Sequence, residues 1–164
     1  MALPSMLVTD TNIWIDLENG KVLAAVFRLP YQFFAIDFAI EEYIHPGLSR
    51  LQELGLTLHG LEPESLLELV QLRQLHNQLS VIDLASLLLA RAIGANLVTG
   101  DRRLNLLAKA QGITVHGVLW LVDEMVIYHV LTEIQAADAL REMLNLGARL
   151  PVAECQKRID LWSN

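Results

Sequence analysis

A second cysteine is missing: Cys155 stands alone among 164 residues. No internal disulfide can form, and a reducing cytoplasm is the expected compartment. Also missing is an unbroken apolar run of roughly 20 residues, the length that a membrane helix needs. The longest apolar stretches are interrupted by charge, residues 80–98 by Asp83 and Arg91 and residues 118–131 by Asp123 and Glu124. No basic residue precedes the apolar part of residues 1–9, so neither a signal peptide nor a membrane partner is expected. Basic side chains are scarce, with 12 Lys and Arg against 19 Asp and Glu and a net charge of −7. That balance weighs against nucleic acid, whose phosphates ordinarily call for a basic surface. The objection weakens if the carboxylates gather around metal ions and the few cations line one groove. There is no Gly-rich phosphate loop. His45, His59, His76, His116 and His129 show no pairing at metal-ligand spacing, and no nucleophile–His–acid set stands out.

What the sequence has in quantity is apolar residues, 53% of the chain, with a mean hydropathy of +0.37. This is enough for the core of one domain of this length. The surplus points to apolar surface covered by a partner, with a homodimer as the simplest form. Short apolar runs alternate with longer helical patterns, the signature of a parallel sheet with helices on its faces. Strands are expected at 6–9, 32–36, 56–61, 96–99 and 113–116. Helices are expected after Asp10 as far as Asn19-Gly20, at 21–28, 38–44, from Pro63 to an interruption at Asn77-Gln78, at 80–94 and at 102–111. After Gly117 the pattern becomes wholly helical, at 118–130, 133–146 and 151–162, with Thr132 and Gln135 spaced as a capping box. The expected architecture is an α/β core over residues 1–117 carrying a helical extension over 118–164, packed as a single domain.

Asp10 ends the first expected strand and Asp101 follows the fourth. In open parallel sheets ligands bind beyond the carboxyl ends of the strands, so two acids there would share a crevice if their strands are neighbours. Clustered carboxylates repel one another, and the usual remedy is a hard cation such as Mg²⁺ or Mn²⁺. Each acid also has an ordinary structural role open to it. Asp10 and Asp101 could cap the helices that follow them, and Glu42 could be a solvated helix residue. Asp83 lies three residues after Ser80, at capping-box spacing.

Four segments in order, Val8-Thr9-Asp10-Thr11-Asn12, Ile40-Glu41-Glu42-Tyr43, Ser80-Val81-Ile82-Asp83-Leu84-Ala85 and Leu97-Val98-Thr99-Gly100-Asp101-Arg102, resemble the motifs of PIN domains. The stretch from Gly112 to Trp120, with Arg149-Leu150-Pro151, is similar to a branch of prokaryotic PIN-like proteins. The resemblance implies a five-stranded parallel sheet flanked by helices and Mg²⁺- or Mn²⁺-dependent cleavage of RNA. Asp10, Glu42, Asp83 and Asp101 would be the metal-binding acids. Thr99 would orient Asp101 or a bound water, and Asn12 would support them from behind. Glu41 competes with Glu42, since adjacent helical residues point about 100° apart and only one can face the site; Tyr43 after it favours Glu42. Asn105 is uncharged where some relatives carry a further acid. Arg102, Arg103 and Lys109 are candidates to hold the RNA backbone, with Arg28 and Lys21 extending the groove. Trp14 could stack a base or be buried. A haloacid-dehalogenase-like phosphatase would want a second Asp where Asn12 stands, and a receiver domain would want acids and a late Lys that are missing. The expected function is a metal-dependent endoribonuclease, either an RNA-processing enzyme or a toxin paired with a small antitoxin protein. A binding module without catalysis and a small-molecule phosphoesterase are the competing readings.

Overall fold

The computed structural model describes residues 5–42 and 46–164; the side chains of residues 40–42 lie outside that description. Five strands form one all-parallel sheet among the described residues: β1 (Ser5–Thr9), β2 (Tyr31–Ile36), β3 (Thr57–His59), β4 (Asn96–Val98) and β5 (Val115–His116). Parallel neighbours need crossovers, and helices supply them: α1 (Thr11–Asn19), α2 (Leu23–Val26), α3 (Leu48–Leu54), α4 (Pro63–Leu75), α5 (Val81–Ile93) and α6 (Arg102–Ala110). The tail is α7 (Val118–Ile127), α8 (Glu133–Asn145) and α9 (Val152–Trp162).

The strand order is β3-β2-β1-β4-β5. The chain builds outward from β1 through β2 to β3, then returns to the other side of β1 for β4 and β5. The order therefore reverses between β1 and β4, whose register aligns Val8 with Leu97 and Thr9 with Val98. Leu7, Val8, Leu97 and Val98 of these central strands are fully buried. Residues 84–90 of α5 are all buried, so this helix is apolar nearly all round, as a helix enclosed by other elements must be. It packs on β1, β2 and β4 with α4 outside it. Gly94 ends it at φ 70°, a conformation that favours glycine.

The tail docks on the core through α1. Met143 of α8 fills the space that a Cβ at Gly20 would occupy, so glycine permits this close approach. Arg28 donates to the Val130 carbonyl at 2.7 Å, and Arg158 of α9 grips both oxygens of Asp123 on α7 at 2.7 and 2.8 Å. Trp14 is buried, stacked on Phe27 at 5.2 Å and edge-on to Phe33 at 5.6 Å, so it packs the core and does not face a base. Cys155 is buried as well. The surplus of apolar residues is visible on the outward face of α4, where Leu66, Leu67, Val70 and Leu75 are exposed. No helix among the described residues is long and apolar enough to cross a membrane.

Three local expectations change. Residues 37–42 form a 3-10 turn where a helix over 38–44 is expected, and residues 43–45 lie outside the described residues. Helix α3 has no counterpart in the sequence reading. The third and fifth strands shrink to Thr57–His59 and Val115–His116, because edge strands pair on one side only.

Candidate active-site crevice

All strands present their carboxyl ends to one edge, and the switch point lies between β1 and β4. Asp10 follows β1 directly. Its N–H donates to the Val98 carbonyl at 3.0 Å, extending the ladder by one residue. Asp101 stands three residues beyond Val98. Between the two acids sits the buried Thr99 hydroxyl, which donates to Asp10 Oδ2 at 3.1 Å and accepts from the Asp101 N–H at 3.1 Å. One short side chain thus fixes both acidic positions.

The capping roles can now be separated. Asp10 precedes α1 in extended backbone, but its side chain makes no capping hydrogen bond to that helix. Asp101 does cap α6, with Oδ1 accepting from the Leu104 N–H at 3.0 Å. Asp83 and Ser80 form a reciprocal capping box on α5: the Ser80 N–H donates to Asp83 Oδ2 and the Asp83 N–H to Ser80 Oγ, both at 3.0 Å. Because α5 leads into β4, its N-terminus and Asp83 lie at the carboxyl edge of the sheet. The turn that bears Glu42 leaves β2 at the same edge, while the Glu42 and Glu41 side chains fall outside the described residues.

A cleft of about 470 Å³ opens at the switch point, lined by Asp10, Asn12, Asp16, Asp101 and Arg149 together with Gly147 and Ala148. Asn12 and Asp16, four residues apart, share the face of α1 turned to the cleft. Asp16 is half-buried, and burial pushes its carboxyl above the usual carboxylate range. Asp16 does not stand out in the sequence alone, although its spacing from Asn12 carries the signal. Nor does Arg149, since a loop 48 residues beyond Asp101 has no sequence-local link to the cleft.

The structure therefore brings Asp10, Asn12, Thr99 and Asp101 together, and places Asp83 in a helix cap at the same edge, outside the cleft lining. Arg102 is exposed in the first turn of α6. Arg103 lines a neighbouring cleft with His76 and Leu106. Lys109 sits at the other end of α6, roughly 12 Å along the axis from Asp101. Lys21 lines a groove beside α8, away from the switch point.

Among the described residues no three Asp, Glu, His or Cys side chains stand close enough to hold a metal ion; that set lacks the Glu42 side chain. The donor chemistry fits a hard divalent cation, because the acids offer only oxygen. A cap occupies one oxygen of a carboxylate and leaves acceptor capacity on the other. One turn along α6 from Asp101, Asn105 Oδ1 is buried with no hydrogen-bond partner among the described residues.

Comparison with curated proteins and with solved structures yields no match. A family model described as a PIN domain matches residues 6–164. PIN domains are generally nucleases, and this match runs from β1 through the last tail helix. With a five-stranded parallel sheet, acids beyond β1 and β4, and that match over almost its whole length, the chain belongs to the PIN-domain family.

Proposed function

We propose that the protein is a divalent-metal-dependent endoribonuclease. The observation that carries this reading is the Thr99 hydroxyl bridging Asp10 and Asp101 at the switch point. A threonine there serves no packing need that valine would not meet, and its hydroxyl ties the Asp10 carboxylate to the main chain at Asp101. Asp10 and Asp101, with Glu42 and Asp83 from the same edge, would hold Mg²⁺ or Mn²⁺. Such an ion supplies charge neutralisation at a phosphoryl oxygen and lowers the pKa of a water. The chain's own residues orient the rest. Thr99 keeps Asp10 and Asp101 in register, and Asn12 on α1 faces the same cleft. Water adds to phosphorus, the bond from phosphorus to the 3′-oxygen breaks, and that oxygen leaves with a proton. The products are a 5′-phosphate and a 3′-hydroxyl. A toxin role would require a small antitoxin protein, and a neighbouring gene for a short DNA-binding protein would mark it.

The two adjacent glutamates test the register of the turn after β2. With a labelled single-stranded RNA and millimolar Mn²⁺, Glu42→Gln is expected to abolish cleavage and Glu41→Gln to leave it largely intact. EDTA should stop the wild type. Cleavage that persists in EDTA contradicts the metal-dependent reading, and the reverse glutamate pattern reassigns the ligand to Glu41.

A further inference from the structure

The cleft at the switch point is lined by three carboxylates, Asp10, Asp16 and Asp101, yet the substrate assigned to it is a polyanion. Among the described lining residues one is basic, and it comes from neither the sheet nor the helices around it. It is Arg149, in the loop that joins α8 to α9.

That loop is pinned on both sides of Arg149. Gly147 ends α8 at φ 88° and its N–H donates to the Leu144 carbonyl at 3.1 Å. The Ala148 N–H returns to the Met143 carbonyl at 2.9 Å, and the Leu150 N–H closes a tight turn across Arg149 onto the Ala148 carbonyl at 3.0 Å. Ala148 and Leu150 pack against the core on either side. Met143, the origin of this turn, is the residue seated on Gly20 just after α1. The docking of the tail on α1 and the position of Arg149 are thus one construction. The arginine itself is exposed and makes no ion pair or hydrogen bond among the described residues. By contrast Arg91, Arg141 and Arg158 are engaged with Glu68, Asp138 and Asp123.

We propose that Arg149 is the phosphate-binding residue of the cleft, holding the RNA backbone against the acidic site. Its planar guanidinium offers two parallel N–H donors that match two phosphate oxygens, a fixed geometry that an ammonium lacks. It supplies, next to the acids, the positive charge that the chain's net −7 otherwise withholds from a nucleic acid. This gives the tail a task in catalysis and not only in packing. It replaces Arg103 and Lys109, which lie away from the cleft, as the principal contact. The inference rests on the nuclease reading above.

The test compares wild type, Arg149→Gln and Arg149→Lys in three measurements. In single-turnover cleavage of a labelled single-stranded RNA with Mn²⁺, Arg149→Gln should lose on the order of 10²-fold, and Arg149→Lys should recover part of it. In fluorescence anisotropy with the same RNA in EDTA, Arg149→Gln should bind more weakly. Its dependence on salt should fall by about 0.7 in log–log slope, the value for one lost phosphate contact on a single strand. Mn²⁺ titrated alone by calorimetry should bind Arg149→Gln at least as tightly as wild type. An active wild type matched by Arg149→Gln in rate and in salt slope would overturn the role of Arg149 and leave the nuclease reading standing. Loss of Mn²⁺ binding in Arg149→Gln would also overturn it, by making the residue a support for the acids. A wild type inert in Mn²⁺ would instead overturn the nuclease reading, on which this role depends.

Discussion

Asp101→Asn is expected to abolish RNA cleavage, with a fall on the order of 10³-fold, and to leave the metal-free protein folded. The structure explains why these two effects should separate. Asparagine keeps the oxygen that accepts from the Leu104 N–H, and Asn and Asp are about equally good helix caps. The hydrogen bond from the residue 101 N–H to the Thr99 hydroxyl is backbone and survives the change. What is lost is one negative charge. At the N-terminus of α6 that charge contributes about 0.3–1 kcal/mol through the helix dipole. Urea denaturation of the apo variant should therefore agree with wild type within about 1 kcal/mol. Near-normal cleavage by this variant would show Asp101 to be a cap and nothing more.

Asp83 gives the second large effect, because its cap and its proposed role at the metal can be separated with two variants. Ser80→Ala removes the hydroxyl that accepts from the Asp83 N–H and leaves the carboxylate in place. It should cost about 0.5–2 kcal/mol and leave the cleavage rate within a few-fold of wild type. Asp83→Asn keeps an acceptor for the Ser80 N–H and removes the charge. Its apo stability should stay within about 1 kcal/mol of wild type, while cleavage falls on the order of 10²-fold. Clear loss of apo stability in Asp83→Asn together with normal cleavage would return Asp83 to a purely structural role.

Much of this architecture was legible in the sequence, for reasons tied to particular residues. Ser80 and Gly94 bracket an apolar run, and the helix Val81–Ile93 lies between them. Thr132 and Gln135 form the capping box their spacing implies, at 2.9 and 3.1 Å. The runs that end at Asp10 and before Asp101 are strands, and the pairing of β1 with β4 makes their acids neighbours. Other features are properties of packing and not of local sequence. Helix α3 buries only Leu51 fully, too little for a periodic signal over seven residues. The order β3-β2-β1-β4-β5 is set by which helices cover which face, and no single segment encodes it. Arg149 reaches the cleft only because α8 docks on α1, a contact between residues more than a hundred positions apart.

Everything proposed for this protein requires that the acids at the carboxyl edge of the sheet bind a divalent cation. Isothermal titration of Mn²⁺ into the apo protein, beside Asp10→Asn, tests it without any substrate. Saturable binding to wild type is expected at or below millimolar Mn²⁺, with a matching rise in melting temperature because the ion binds the native state, and both should be lost in Asp10→Asn. No heat and no rise in melting temperature for the wild type at millimolar Mn²⁺, or an equal response from Asp10→Asn, would contradict it.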